Sequence, residues 1–171
     1  MPNQESEWPK MLKLLALILV SQLGPGEKSF YIPGGNMSPT LQQGDYILAV
    51  PVRSPRILDT IVFRPPAGKY RGHSELLISR IVGQGGDTLE IRKQHLWRNG
   101  KQLQEPFVKL PMRTPFARVR VPQGEFFVMG DNREDSYDSR YWGGVPRKNV
   151  MYRAKEIYWS KDWSRFGIPV R

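Results

Sequence analysis

The chain has 171 residues, 39% of them hydrophobic and 25% charged, the balance of one folded domain and not of a disordered tail. It has no cysteine and only two histidines, His73 and His95, which excludes disulfides and thiolate metal sites and argues against a multi-histidine one. The formal net charge of +10 could draw nucleic acid, anionic lipid or acidic substrates, but the basic residues are scattered, so a solubilising or lipid-facing surface is expected ahead of a nucleic-acid stripe.

Residues 1–10 are polar, and Lys10 and Lys13 flank the entry to Leu14–Val20, an apolar run that Leu23 extends and Gly24-Pro25-Gly26 ends. A full membrane span needs about 20 apolar residues, and runs of roughly 10–14 are more often signal-peptide cores, interfacial segments or core helices. Counting from Trp8 to Leu23 gives a marginal span, with no clear small-x-small cleavage site after it. The expectation is an uncleaved anchor helix within residues 1–23, its N-terminus inside, then a linker over 24–29 and a β domain over 30–171. Long domains cross largely regardless of charge, so +10 is no objection.

From Phe30 onward the pattern is β throughout. Phe30–Ile32, Tyr46–Val50 and Asp59–Phe63 are short apolar runs bounded by Pro, Gly and Asp. Residues 64–74 read as a mobile loop. Glu75–Val82 is the longest strand candidate, and Gly85-Gly86-Asp87 turns it into Thr88–Arg92. His95–Arg98 and Lys101–Leu103 flank Asn99-Gly100, the strongest short hairpin signal. Arg118–Val121 and Glu125–Met129 are expected to pair about Pro122-Gln123-Gly124, and Met151–Trp159 is a closing strand. Such a series predicts an all-β, mostly antiparallel barrel or sandwich.

Two stretches are candidates for chemistry. In Phe30–Leu41 a strand end is followed by Pro33, the pair Gly34-Gly35, then Asn36, Met37 and Pro39. Glycines let the backbone enter regions closed to other residues, so the stretch reads either as a mount for a polar side chain or as a surface loop. The second, Gly130–Gly143, sets three aspartates and two arginines in one short loop, which bidentate Arg–carboxylate pairs and Asx turns can knit together.

Taken together these segments resemble the bacterial type I signal peptidases, membrane-anchored serine endopeptidases that remove signal peptides. The resemblance runs in order through the apolar N-terminus, Tyr31-Ile-Pro with Met37-x-Pro-Thr-Leu41, Asp59-x-Ile-Val-Phe63, Ile78-x-Arg-Ile-Val-Gly83, and Gly130-Asp-Asn-Arg through Asp138-Ser-Arg-Tyr-Trp-Gly143. It implies a β domain on the outer face of the bacterial cytoplasmic membrane behind a single span. It also implies signal peptides or pre-proteins as partners and no cofactor or metal.

The family's Ser–Lys dyad uses a serine hydroxyl as nucleophile and a buried, neutral lysine as its base. On the matching positions this chain has Asn36 for the serine and Ser79 for the lysine, and Gly34 stands where an oxyanion-binding serine belongs. A carboxamide is not a usable acyl-transfer nucleophile, and a serine hydroxyl is no comparable base. Ser136 and Asp138 match positions that orient the lysine, Arg140 matches the arginine bracing that aspartate, and Asp131 and Arg133 are expected to hold the same loop. The substrate cleft is expected along Ile32, Pro33, Gly35, Met37 and Pro39, where an extended segment adds as a strand. The expectation is therefore a degenerate peptidase that binds signal-peptide or pre-protein segments. Two alternatives stand beside it: an active signal peptidase using Ser38, with Lys69 as base, and a structural partner of an active paralogue.

Overall fold

The computed structural model describes residues 24–72, 74–110, 112–113 and 116–170, and the expected anchor helix lies outside them. Among the described residues no helix is long and apolar enough to cross a membrane. The strands are β1 Lys28–Tyr31, β2 Tyr46–Pro51, β3 Thr60–Phe63, β4 Leu77–Gln84, β5 Thr88–Arg92 and β6 His95–Arg98. They continue with β7 Lys101–Gln102, β8 Val119–Arg120, β9 Glu125–Met129, β10 Val145–Pro146 and β11 Val150–Trp159. One helical turn, α1 Ser139–Trp142, interrupts the 130–144 loop.

Every strand pairing is antiparallel, in keeping with the expected fold class. The larger sheet runs β1-β2-β11-β3-β4-β9-β10 and the smaller β7-β6-β5-β8. β11 is the longest strand, in place of the expected segment around β4, and it hands the sheet over from β3 to β2. Its register shifts between Val150 and Tyr152, Ala154 and Glu156, and Ile157 and Trp159. Each such shift bends a strand and increases its twist, which curls the sheet.

β4 and β9 form the wall between two cores. Ile81, Phe126 and Val128 pack on one side with Phe63, Trp142 and Val150. Their neighbours Val82, Phe127 and Met129 pack on the other with Leu89, Leu96 and Val121. Strands buried on both faces lose the alternation of a half-exposed strand, hence the unbroken Phe126-Phe127-Val128-Met129 run. A third cluster joins Ile32, Met37 and Leu41 to Ile47, Ala154 and Ile157.

This two-sided burial overturns one expected hairpin. β8 and β9 do not pair across Pro122-Gln123-Gly124: β8 joins β5 through Thr88–Arg120 and Leu89–Val119, and β9 lies between β4 and β10. β4 and β5 likewise fall in different sheets, so Gly85-Gly86-Asp87 passes the chain from one sheet to the other. The Asn99-Gly100 hairpin is present, with φ of 52° and 77° at its two turn residues. Residues 64–72 are tied down more than expected: Tyr70 packs on the first core and meets Trp142 edge-on at 6.5 Å.

Candidate active site

Three segments meet at the N-terminal half of β4. The first leaves β1 at Ile32, whose N–H donates to Asp45 O, and then turns tightly, Ser38 N donating to Gly35 O and Leu41 N to Met37 O. Ile32 and Met37 are 1% and 0% exposed, so their side chains anchor the turn in the core and do not line a cleft. Pro33 is exposed, and Gly34, Gly35, Asn36 and Pro39 are half-buried. A Cβ added at Gly34 or Gly35 would meet nothing within 4 Å, so this backbone borders open space.

Asn36 and Ser79 converge on one atom. Asn36 Nδ2 donates to the Ile78 carbonyl oxygen at 2.9 Å, and Ser79 Oγ donates to the same oxygen at 2.7 Å. Ser79 is 4% exposed. A hydroxyl has one proton to give, and that of Ser79 goes to its own strand.

The 130–144 loop packs against the Asn36 turn. Asn132 N donates to Asn36 O at 3.0 Å, and Asn132 Nδ2 to Gly35 O at 3.2 Å. Gly130 fits between Asn36 O and Ser136, where a Cβ would overlap both, so Ser136 is brought beside Asn36. Asp138 accepts from Gly130 N at 3.0 Å, from Arg140 N at 3.2 Å, and from Arg140 Nε and Nη2 at 2.8 and 2.9 Å. Those four bonds fill a carboxylate's capacity of about four lone-pair sites. Burial alone would lower the Arg140 pKa, but the Asp138 carboxylate outweighs it and holds the guanidinium above its usual value.

Asp131 and Arg133 bind outward instead of to each other. Asp131 receives Arg80 Nε at 2.8 Å and Nη2 at 2.7 Å, plus the Thr40 hydroxyl at 2.5 Å, with both charged side chains fully buried. Arg80 also donates to Leu58 O and lies 3.8 Å from the Phe107 ring centre. Arg133 pairs with Glu105 and donates from Nε to Gly130 O at 3.0 Å. Glu105 carries no marker in the sequence, and Thr40 and Arg80 stand within the family segments without anything local that names Asp131 as their partner. Their ion-pair and hydroxyl partners are 28 to 91 residues away by chain, beyond the reach of any local pattern.

Arg165 fastens the front of the site. It pairs with Asp45 at 2.7 Å and donates to Thr40 O at 2.9 Å. Burial pushes the Asp45 carboxyl up, and Arg165, Gln42 N–H and Ser160 together overcome this and hold it below its ordinary value. Ser38 lines a cavity with Pro39, Asp131, Asn132 and Lys109, whereas Lys69 is exposed and lines another with Arg71, Tyr137 and Tyr141. The lysine sharing Ser38's cavity is therefore Lys109, whose Nζ donates to Pro106 O at 3.3 Å. Among the described residues no group of three or more His, Asp or Glu is placed to hold a metal ion.

A small-residue turn, a mid-strand residue and an ion-paired loop are thus brought to one point on a curled antiparallel sheet. The family profile for "Signal peptidase, peptidase S26" matches residues 6–159. The chain belongs to that family. It is 34% identical to the probable signal peptidase I-1 of Synechocystis sp. over 175 residues, covering 95% of this chain and 89% of that protein. It is 33% identical to the probable signal peptidase I-2 of the same organism, covering 91% and 75%. The thylakoidal processing peptidase 1 of Arabidopsis thaliana is 37% identical over 139 residues, covering 75% of this chain and 41% of that one.

Proposed function

We propose that this chain is a membrane-anchored, signal-peptidase-fold protein without a working Ser–Lys dyad, which holds signal-peptide or pre-protein segments and does not cut them. The observation that carries the reading is the pair of donors on Ile78 O. At the two dyad positions stand a carboxamide and a hydroxyl, both spent on one backbone carbonyl. Neither is set to attack an acyl carbon or to take a proton. Removal of a nucleophile–base unit costs about 10⁶ in turnover in a well-studied serine protease. The binding half of the site is better supplied: the 34–35 backbone borders open space, and the loop behind it is braced by ion pairs. The proposed division of the chain is an anchor within residues 1–23, a linker over 24–29 and a β domain from residue 30, on the outer side of the membrane.

The test is incubation of the purified full-length protein with a pre-protein. The expected outcome is an uncut pre-protein recovered in complex. Cleavage at the signal site that Ser38→Ala abolishes would sink this reading in favour of an active endopeptidase. That second reading draws on the relatives, whose names are those of peptidases, and on the cavity that Ser38 shares with Lys109. The reverse experiment restores the dyad. Asn36→Ser with Ser79→Lys is expected to regain signal-peptide cleavage in part. Adding Gly34→Ser, for which there is room, should raise the rate by up to about 10²–10³, the worth of one oxyanion donor. No cleavage by a folded triple variant would mean that the cleft itself has changed.

A further inference from the structure

β9 stops short of the start of β4. The last pair in their register is Met129 with Arg80, so no β9 residue stands opposite Ile78. On its other side β4 is paired throughout this stretch, Val62 of β3 facing Ile78. Backbone hydrogen-bonding groups of an antiparallel strand point alternately to its two neighbours. Ile81 exchanges bonds with Asp59 O and Leu58 N on the β3 side, so Ile78, three residues away, turns its C=O to the side that β9 leaves open. An open strand edge is where an extended peptide adds as a further strand.

That carbonyl is already engaged twice. A carbonyl oxygen has two lone pairs, and Asn36 Nδ2 and Ser79 Oγ take one each. Of the two, Ser79 bonds within its own strand, whereas Asn36 reaches across from the facing turn. The Asn36 backbone is held in place independently, by Asn132 N–H on its carbonyl. Rotation of one side chain is therefore enough to free that lone pair.

We infer that Asn36 is a latch: its carboxamide occupies the place of the backbone N–H of an incoming strand on Ile78 O, and an extended peptide docks there by displacing it. The inference rests on the peptide-binding reading above and adds how that binding is held back. Asparagine suits the part because its donor lies one bond further from the backbone than a serine hydroxyl. It also carries an acceptor oxygen that can meet the peptide once the latch has swung.

The probe is a fluorescent synthetic peptide with an apolar run followed by Ala-Xaa-Ala, together with versions N-methylated at single backbone positions. The full-length protein is expected to bind it weakly. Asn36→Ala and Asn36→Ser should each bind about three- to tenfold tighter, the factor set by one released hydrogen bond. N-methylation at one peptide position should abolish that gain, because it removes the N–H that replaces the latch. In the unaltered protein, the Asn36 side-chain amide resonances should shift on peptide addition, a readout that does not depend on how well a variant folds. Folded variants that bind no better than the parent, or Asn36 resonances that stay put at saturating peptide, overturn the latch and leave peptide binding standing. No binding by the parent or by either variant overturns both.

Discussion

Arg80 and Asp131 have no exposed surface, and their two parallel bonds tie β4 to the loop that covers it. A fully buried pair contributes little net stability over an apolar pair of the same shape, but removing one partner strands the other charge. Asp131→Ala leaves the Arg80 guanidinium without its carboxylate and the Thr40 hydroxyl without its acceptor. The expected loss is about 3–5 kcal/mol in urea-induced unfolding. Asp138 differs in what its replacement would do to the site. Its four bonds all lie within the 130–144 loop, so its carboxylate braces that turn.

At the scale of the element, two hairpins in the smaller sheet solve the same problem with different residues. β6 and β7 turn at Asn99-Gly100, whereas β5 and β6 turn at Lys93-Gln94 with φ of 47° and 68°. Left-handed backbone suits glycine and asparagine and is strained for longer side chains. Replacing Lys93-Gln94 by Asn-Gly should stabilise the protein by about 1 kcal/mol, raising the melting temperature by roughly 2–4 °C. Asp87, in the turn that leads into the same sheet, is pushed up by burial, but Arg98, Asn99 and the Gln84 N–H draw it below its ordinary value. Asp45 behaves alike under Arg165. A carboxyl depressed in the folded state binds fewer protons there than in the unfolded chain, so its stabilisation is complete above about pH 4–5 and lost as pH falls further. Melting temperatures should hold from pH 7 to about 5 and then decline. Asp45→Asn and Asp87→Asn variants should start lower and decline less steeply.

For the molecule as a whole, the three cores described within residues 24–170 hold most of the buried apolar side chains of both sheets. Each core draws on segments far apart in the chain, as Ile32 and Val170 in one cluster illustrate. If the boundary proposed at residue 24 is sound, a chain beginning at Gly24 should melt within about 2 °C of the full chain, a difference under roughly 1 kcal/mol at this size. A larger loss would place residues 1–23 in the fold. The net charge of +10 acts on solubility and on encounter with anionic surfaces, and it has no bearing on which sheet forms.

Much of this was legible in the chain because it is local. The Asn99-Gly100 turn, the edges of β2 and β3 and the all-β class follow from turn chemistry and strand periodicity over a few residues. The family segments, and the chemical identities of Asn36 and Ser79 within them, are likewise plain in the sequence. Long-range partners are not. β8 and β9 are separated by one turn yet belong to different sheets, because Phe126 to Met129 need apolar cover on both faces and only an interior strand provides it. Tertiary packing alone brought Asp131 to Arg80 and Arg133 to Glu105, since burying a charge requires an opposite one wherever the chain can supply it. It also decided what Asn36 does. By sequence, position 36 lacks a nucleophile; in the folded chain its carboxamide closes on Ile78 O, where β9 has left the strand edge open.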